Sequence, residues 1–203
     1  MQSMSTTLPQ EQLATHSKAQ PWIVCFSAAL FFFYEFIQMH MFNAVSADLM
    51  RDFSIDATQL GNLSAIYFYS NVLFLLFSGV ILDRFSTRRV ILITLSLCAI
   101  GIGTFALTHS LVIAGISRFI SGVGSAFCFL SSIRLASRWF PAKRMALVSG
   151  LIVTMAMTGG MVAQTPLTFF VELLGWRHAL LLDAALGFVF AGIIWTCVRD
   201  YPS

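Results

Sequence analysis

Six stretches of about 18 to 26 residues are apolar from end to end, and no other feature limits the fold of this chain as severely. They fall at 22–45, 60–82, 90–107, 111–132, 145–170 and 179–198. At a rise of about 1.5 Å per residue, each is long enough to cross roughly 30 Å of hydrocarbon as a helix. Continuous apolarity suits a helix, which satisfies its own backbone groups, and not a barrel strand, which alternates. Of all residues 58% are hydrophobic and 10% charged, too little charge for a water-facing surface, so soluble enzymes and nucleic-acid binders are excluded. The predicted class is an all-α membrane protein of six transmembrane helices.

The few charges sit mostly in short connections, and their sign is sorted. With six spans both termini share one face, which collects Lys18, Arg84, Arg88, Arg89, Arg138, Lys143, Arg144 and Arg199; the other face has Arg51 and Arg177. That asymmetry predicts cytoplasmic termini. The chain then divides into a polar cytoplasmic tail over 1–20, a transmembrane domain over 21–199 and a cytoplasmic end at 200–203. The tail lacks an apolar core with a cleavage site before Trp22, so no removed signal peptide is expected. Trp22, Trp139 and Trp176 fall at predicted helix ends, where an interfacial aromatic belt belongs. Cys25, Cys98, Cys128 and Cys197 each stand alone in apolar runs and read as inert buried thiols.

Three formally charged residues, Glu35, Arg118 and Asp183, fall inside the runs, and a fourth, Arg134, lies just past the end of its run. A charge at mid-bilayer costs about 2.5 kcal/mol or more on insertion scales, so each needs a partner, a cavity or a task. Counting from the helix ends places Glu35 and Arg118 both roughly 20 Å from the inner face. A Glu35–Arg118 ion pair, direct or through water, is therefore the leading expectation, with Asp183 a competitor for the same Arg. Such a pair either neutralises two charges for insertion or forms a substrate or proton site. Arg134 lies at the inner boundary, where it snorkels into headgroups or meets Asp83. Tyr67 and Asn71, one turn apart on the second helix, share a face, as do Tyr34 and Gln38 on the first. With Gln164 and Thr165 before Pro166, they are candidate cavity-lining groups. His40 reads as a structural, hydrogen-bonded histidine. Gly122 and Gly124 on the fourth helix, and Gly159 and Gly160 on the fifth, give surfaces for close packing.

Gly79-Val-Ile-Leu-Asp83-Arg84-Phe-Ser-Thr-Arg88-Arg89, between the second and third runs, resembles the signature G-x-L-x-D-R-x-G-R-R/K of the major facilitator superfamily. Arg118-Phe-Ile-Ser-Gly122-Val-Gly124 is similar to the family's R-x-x-x-G-x-G motif, and Gly175-Trp176-Arg177 is familiar from the same position. The resemblance covers the chain from Trp22 onward and corresponds to the N-terminal six-helix half of a family of twelve-helix proteins. Two departures stand out. Ser86 and Thr87 replace the usual Gly and Arg, and Met155-Ala-Met-Thr-Gly159-Gly160 lacks the Gly-Pro of the antiporter motif, which argues against a drug/proton antiporter. The wording around Asp83 and Ala163-Gln-Thr-Pro-Leu167 resembles the branch with the lysosomal dipeptide transporter and bacterial relatives.

The resemblance implies two inverted three-helix repeats, with helices one and four on the transport path, and favours Glu35 over Asp183 as the partner of Arg118. It implies secondary, alternating-access transport of a small polar organic solute, an amino acid or short peptide among the candidates, with proton coupling as an option. The substrate or proton pathway would use Glu35, Arg118, Gln38, Tyr67 and Asn71. Gly79, Asp83, Arg84, Arg88 and Arg89 would form a cytoplasmic gate. Lipid, solute and either a second copy or a separate C-terminal half are the implied partners, and no cofactor or metal is expected. The alternative is a split or truncated half that acts only as a membrane scaffold. An intramembrane enzyme is disfavoured, because no Ser/Lys or Ser/His dyad, His/Asp metal pair or G-x-S-x-G occurs at shared depth.

Overall fold

In the computed structural model, residues 20–200 are described; the polar N-terminal segment read above as a cytoplasmic tail lies almost entirely outside them, as do residues 201–203. The chain is helical almost throughout: α1 (Gln20–Phe53), α2 (Ala57–Arg84), α3 (Thr87–Leu107), α4 (Leu111–Ser125), α5 (Cys128–Trp139), α6 (Met145–Leu174) and α7 (Trp176–Cys197). Six helices among the described residues are long and apolar enough to cross a membrane, because α4 and α5 together make the fourth span, Leu111–Trp139.

Local chemistry sets the helix ends. Asp56 accepts from the Gln59 amide at 2.7 Å while the Gln59 side chain accepts from the Asp56 amide at 3.2 Å, a reciprocal cap that starts α2. Ser86 caps α3 by accepting from the Arg89 amide at 3.3 Å. Between α6 and α7 the chain turns at Gly175, whose φ of +82° lies where a side chain would be strained. Arg177 then donates to the carbonyls of Ala106 and Thr108 at 2.8 and 2.7 Å, satisfying the end of α3. Trp176 donates to Asp52 at 2.8 Å and ties α7 to the end of α1. Thus each residue of the Gly175-Trp176-Arg177 motif has a structural task.

The most extensive packing is α1 on α6, α3 on α7, and α4 on both α3 and α2. Spans one and five, four and two, and three and six are the pairs that a pseudo-two-fold relation between two three-helix repeats would generate. Close approach relies on glycine at two of these seams. A Cβ on Gly122 would stand 2.2 Å from the Tyr67 carbonyl oxygen of α2, and one on Gly159 would stand 2.1 Å from the Phe33 carbonyl oxygen of α1.

Two apolar clusters fill the bundle. One, with Leu82, Val90, Trp139, Val148 and Ile194, lies toward the end that carries Asp83; the other, with Val45, Leu63, Phe105, Trp176 and Leu180, lies toward the opposite end. The polar side chains of the interior gather at their junction. α2 leaves many large apolar side chains exposed, among them Val72, Leu76 and Phe77, as lipid or another apolar surface requires.

Candidate functional site

Glu35, Gln38, Tyr67, Arg118 and Asp183 are all buried at the junction of the two clusters, with Arg118 and Gln38 fully so. Glu35 and Gln38, three residues apart on α1, are about 60° apart around its axis, so they share one side of the helix yet meet different neighbours. Glu35 faces α2 and α3, where it accepts from the Tyr67 hydroxyl at 3.1 Å and from the Cys98 thiol at 2.7 Å. Gln38 faces α7, where its Nε2 donates to Asp183 at 2.5 Å.

The direct Glu35–Arg118 ion pair expected from their depth is not formed, and Asp183 does not take Glu35's place. The guanidinium of Arg118 instead lies between two rings, 4.5 Å from the centroid of Phe42 and 4.6 Å from that of Tyr67. Its one hydrogen bond is long, 3.4 Å from Nη1 to the Gln38 carbonyl, and its Nε and Nη2 have no partner. Tyr67 explains the difference. Its ring occupies the space beside Arg118 and its hydroxyl reaches Glu35, so cation and anion are joined through one side chain rather than by contact.

A cavity of about 260 Å³ opens between α1, α2 and the α4–α5 junction, and Glu35, Tyr67, Asn71 and Ser125 are the polar groups among its lining residues. Asn71 donates to Ser125 at 2.5 Å, which holds its amide on that wall. The fourth span is interrupted here: the Ala126 amide still bonds Gly122 at 3.3 Å, as in a regular helix, but the Phe127 amide turns back to Gly124, three residues earlier, at 3.2 Å. Glycine and serine at 122, 124 and 125 supply no bulk to hold the helix straight, a common cause of such a kink. Ala126, Cys128 and Phe129 beyond the break also line the cavity. Arg118 and Gln38 stand behind the Tyr67 ring and are not among its lining residues.

The remaining candidates divide. Tyr34 faces Gly187 and Phe190 of α7, and its hydroxyl is buried without a partner. Gln164, Thr165 and Pro166 are exposed on α6, away from the Glu35 cavity. The His40 imidazole is bonded to the Phe36 carbonyl at 2.9 Å, a structural role. Cys98 is buried, as expected, and its thiol donates to Glu35, whereas Cys197 is only partly buried. Phe42, Cys98 and Ser125 were not legible as site residues, because an aromatic, a thiol and a serine in apolar helices carry no signal until their neighbours are known.

At the end of the bundle that carries Asp83, Arg134 pairs with Asp83 at 2.6 Å, the second of its two expected fates. Ser86 donates to Asp200, which also accepts from the Arg88 amide at 2.9 Å and lies 3.6 Å from Arg138. The Arg88 side chain donates to the Trp195 carbonyl, and Arg138 donates to Thr87 at 3.3 Å. Both residues that depart from the signature are therefore used: Ser86 as cap and donor, Thr87 as acceptor. Gly79 faces Leu130 of α5, and Arg84 and Arg89 are exposed. Asp200, the anchor of this network, was not singled out in the sequence, because a lone acid at a span's end resembles a solvated charge.

A bundle of two inverted three-helix repeats, with a charged cluster at mid-depth between the first, second and fourth spans, defines a secondary transporter fold. Residues 24–203 match the model of the major facilitator superfamily, and the chain belongs to that family. It is 27% identical to an uncharacterized transporter of Bacillus subtilis (strain 168) over 75% of this chain and 35% of the relative. It is 30% identical to the lysosomal dipeptide transporter of Pongo abelii over 71% of this chain and 30% of the relative. With the hexuronate transporter of Escherichia coli (strain K12) the identity is 24%, over 78% and 37%. The chain thus spans about a third of the length of these relatives. A bacterial homolog of the human lysosomal transporter Spinster, in an inward-facing and unoccupied conformation, superposes with a TM-score of 0.77 at 19% identity, over 92% of this chain and 44% of that one, and shows the fold.

Proposed function

We propose that this chain is the N-terminal half of a secondary transporter that moves a small polar organic solute across the cell membrane by alternating access, with both termini cytoplasmic. The observation that carries the reading is Arg118: a buried guanidinium with two unpaired nitrogens, separated by the Tyr67 ring from a cavity that Glu35, Tyr67 and Asn71 line. A fork of free N–H groups in a low-dielectric site suits a carboxylate. The dipeptides and hexuronates named for the relatives both carry one. An amino acid or short peptide fits the same chemistry.

In this reading Glu35 takes up a proton as solute moves, and Tyr67 transmits its charge state to Arg118 because its hydroxyl bonds the acid while its ring flanks the cation. Gly79, Asp83, Arg84, Arg88 and Arg89 belong to the cytoplasmic gate, where the Asp83–Arg134 bridge and the Asp200 network hold this half as one rocking body. A second six-helix half, whether a second copy or a C-terminal one, supplies the other cavity wall.

The test is uptake of a labelled dipeptide or hexuronate into proteoliposomes containing this chain with its completing half, over a range of pH. Glu35→Gln should insert normally and lose pH-driven uptake. Undiminished pH-driven uptake by Glu35→Gln would remove the proton role. No uptake of any carboxylate solute, at any pH and with either kind of partner, would leave a non-transporting membrane scaffold as the better account.

A further inference from the structure

Asp183 is a buried carboxylate that the proposed transport path does not use. It sits on α7, where it meets Gln38 of α1, and makes no ion pair with any Lys, Arg or His among the described residues. Its one hydrogen bond comes from Gln38. An unpaired carboxylate at this depth is strongly disfavoured.

One acceptor beside it lacks a donor. Gln38 Oε1 is buried with no partner. If the amide were turned over, that oxygen would face the carboxylate, and the contact would need a proton between two acceptors. Asp183 also lines a cleft of about 390 Å³ between α1, α6 and α7, together with Val162 and Pro166. Because proline has no N–H, Pro166 leaves the carbonyl of Val162, four residues earlier, without its helical donor. Among the described residues only the Gln38 amide donates to Asp183, and an acid O–H on Asp183 would supply the donor that Gln38 Oε1 lacks.

Other titratable and charged groups near the pair come from α1, α3 and α4. Tyr34 and Glu35 of α1 lie within electrostatic reach of Asp183, and Cys98 of α3 within reach of Tyr34. Arg118 of α4 touches only the Gln38 carbonyl. From α6, the cleft receives apolar side chains alone. Such a lining does not offer the six or so oxygens that a hard metal cation takes.

We propose that Asp183 and Gln38 form a proton-binding site, separate from the Glu35 cavity, in which the Asp183 carboxylate takes one proton from solvent and the resulting acid donates to an acceptor oxygen of the cluster. Uptake of one proton removes one negative charge and changes no bond between heavy atoms. Because Gln38 bonds Asp183 through its side chain and Arg118 through its carbonyl, the site is mechanically joined to the guanidinium. The inference holds whichever solute the chain carries.

Infrared spectroscopy of the purified chain in lipid at neutral pH tests it without any transport step. The wild type should show the C=O stretch of a protonated buried carboxyl group, shifted by exchange into D2O. Asp183→Asn should lose that band, and Glu35→Gln should keep it. Gln38→Leu leaves the acid but removes its amide partner, so the band should move to higher frequency; this variant decides the matter if Asp183→Asn does not insert. An acid band unchanged in both Asp183→Asn and Gln38→Leu overturns the proposal. So does a band that sodium at constant pH abolishes, which would make the site a metal-cation site.

Discussion

Gly122→Ala is the substitution that should couple packing to the site most directly. The added methyl would stand 2.2 Å from Ser70 Oγ and 2.2 Å from the Tyr67 carbonyl oxygen. An ordinary carbon contact is about 3.5 Å, so α2 and α4 must separate locally by about 1 Å. The serine hydroxyl can rotate away, but the carbonyl moves only with its helix, so Ser70→Ala should not rescue the variant. Overpacking of this kind typically costs about 1–3 kcal/mol. A shift of that size would also carry the Tyr67 hydroxyl, now 3.1 Å from Glu35, beyond hydrogen-bonding range. Gly150→Ala in α6 is the matched control, since a Cβ there meets nothing within 4 Å. Replacing that helical glycine should be neutral or stabilising by about 0.5–1 kcal/mol. The assay is reversible unfolding in mixed detergent micelles, read by circular dichroism. If Gly122→Ala proved as stable as Gly150→Ala, the inference that these helices touch through glycine would fail.

Two further outcomes follow from the geometry. Tyr67→Phe keeps the ring beside Arg118 but deletes the hydroxyl that Glu35 accepts; the loss of a hydrogen bond to a charged group should cost about 1.5–3 kcal/mol in the same unfolding assay, whereas an unchanged stability would show that this bond is not formed. Ser86→Ala removes the cap of α3 and the link to Asp200, so it should cost about 1 kcal/mol and speed hydrogen exchange at the amides of Arg88 and Arg89; wild-type exchange there would count against the capping role.

Much of the fold was open to inspection before any coordinates, because bilayer thickness, backbone hydrogen bonding and the cost of buried charge act on local sequence. Those constraints gave six helical spans, their order and the residues that needed explanation. The signature around Asp83 and the Arg118 motif added the family and the inverted repeats. Even the Arg134–Asp83 contact was one of two outcomes that depth allowed. The break at Ala126 and Phe127 was not anticipated, although Gly122, Gly124 and Ser125 carry its cause. A run of small residues reads equally as a packing face until a neighbouring helix and a cavity show that the turn opens there.

What depth alone could not decide was direction. Glu35 and Arg118 share a level, as counting residues predicts, yet they do not touch, because rotation about the helix axes and the volume of the Tyr67 ring determine which atoms meet. Asp183 shares that level too, yet it meets Gln38 of α1, so its partner is an amide rather than the guanidinium. Cys98, Phe42 and Asp200 gained roles only when helices distant in sequence came together. The amino-acid sequence by itself determined that this chain must be a six-helix membrane bundle with charges at its centre, since each helix answers to the bilayer separately. Only the tertiary structure decided how those charges are partnered, since hydrogen bonds act over about 3 Å and depend on packing that no single helix contains.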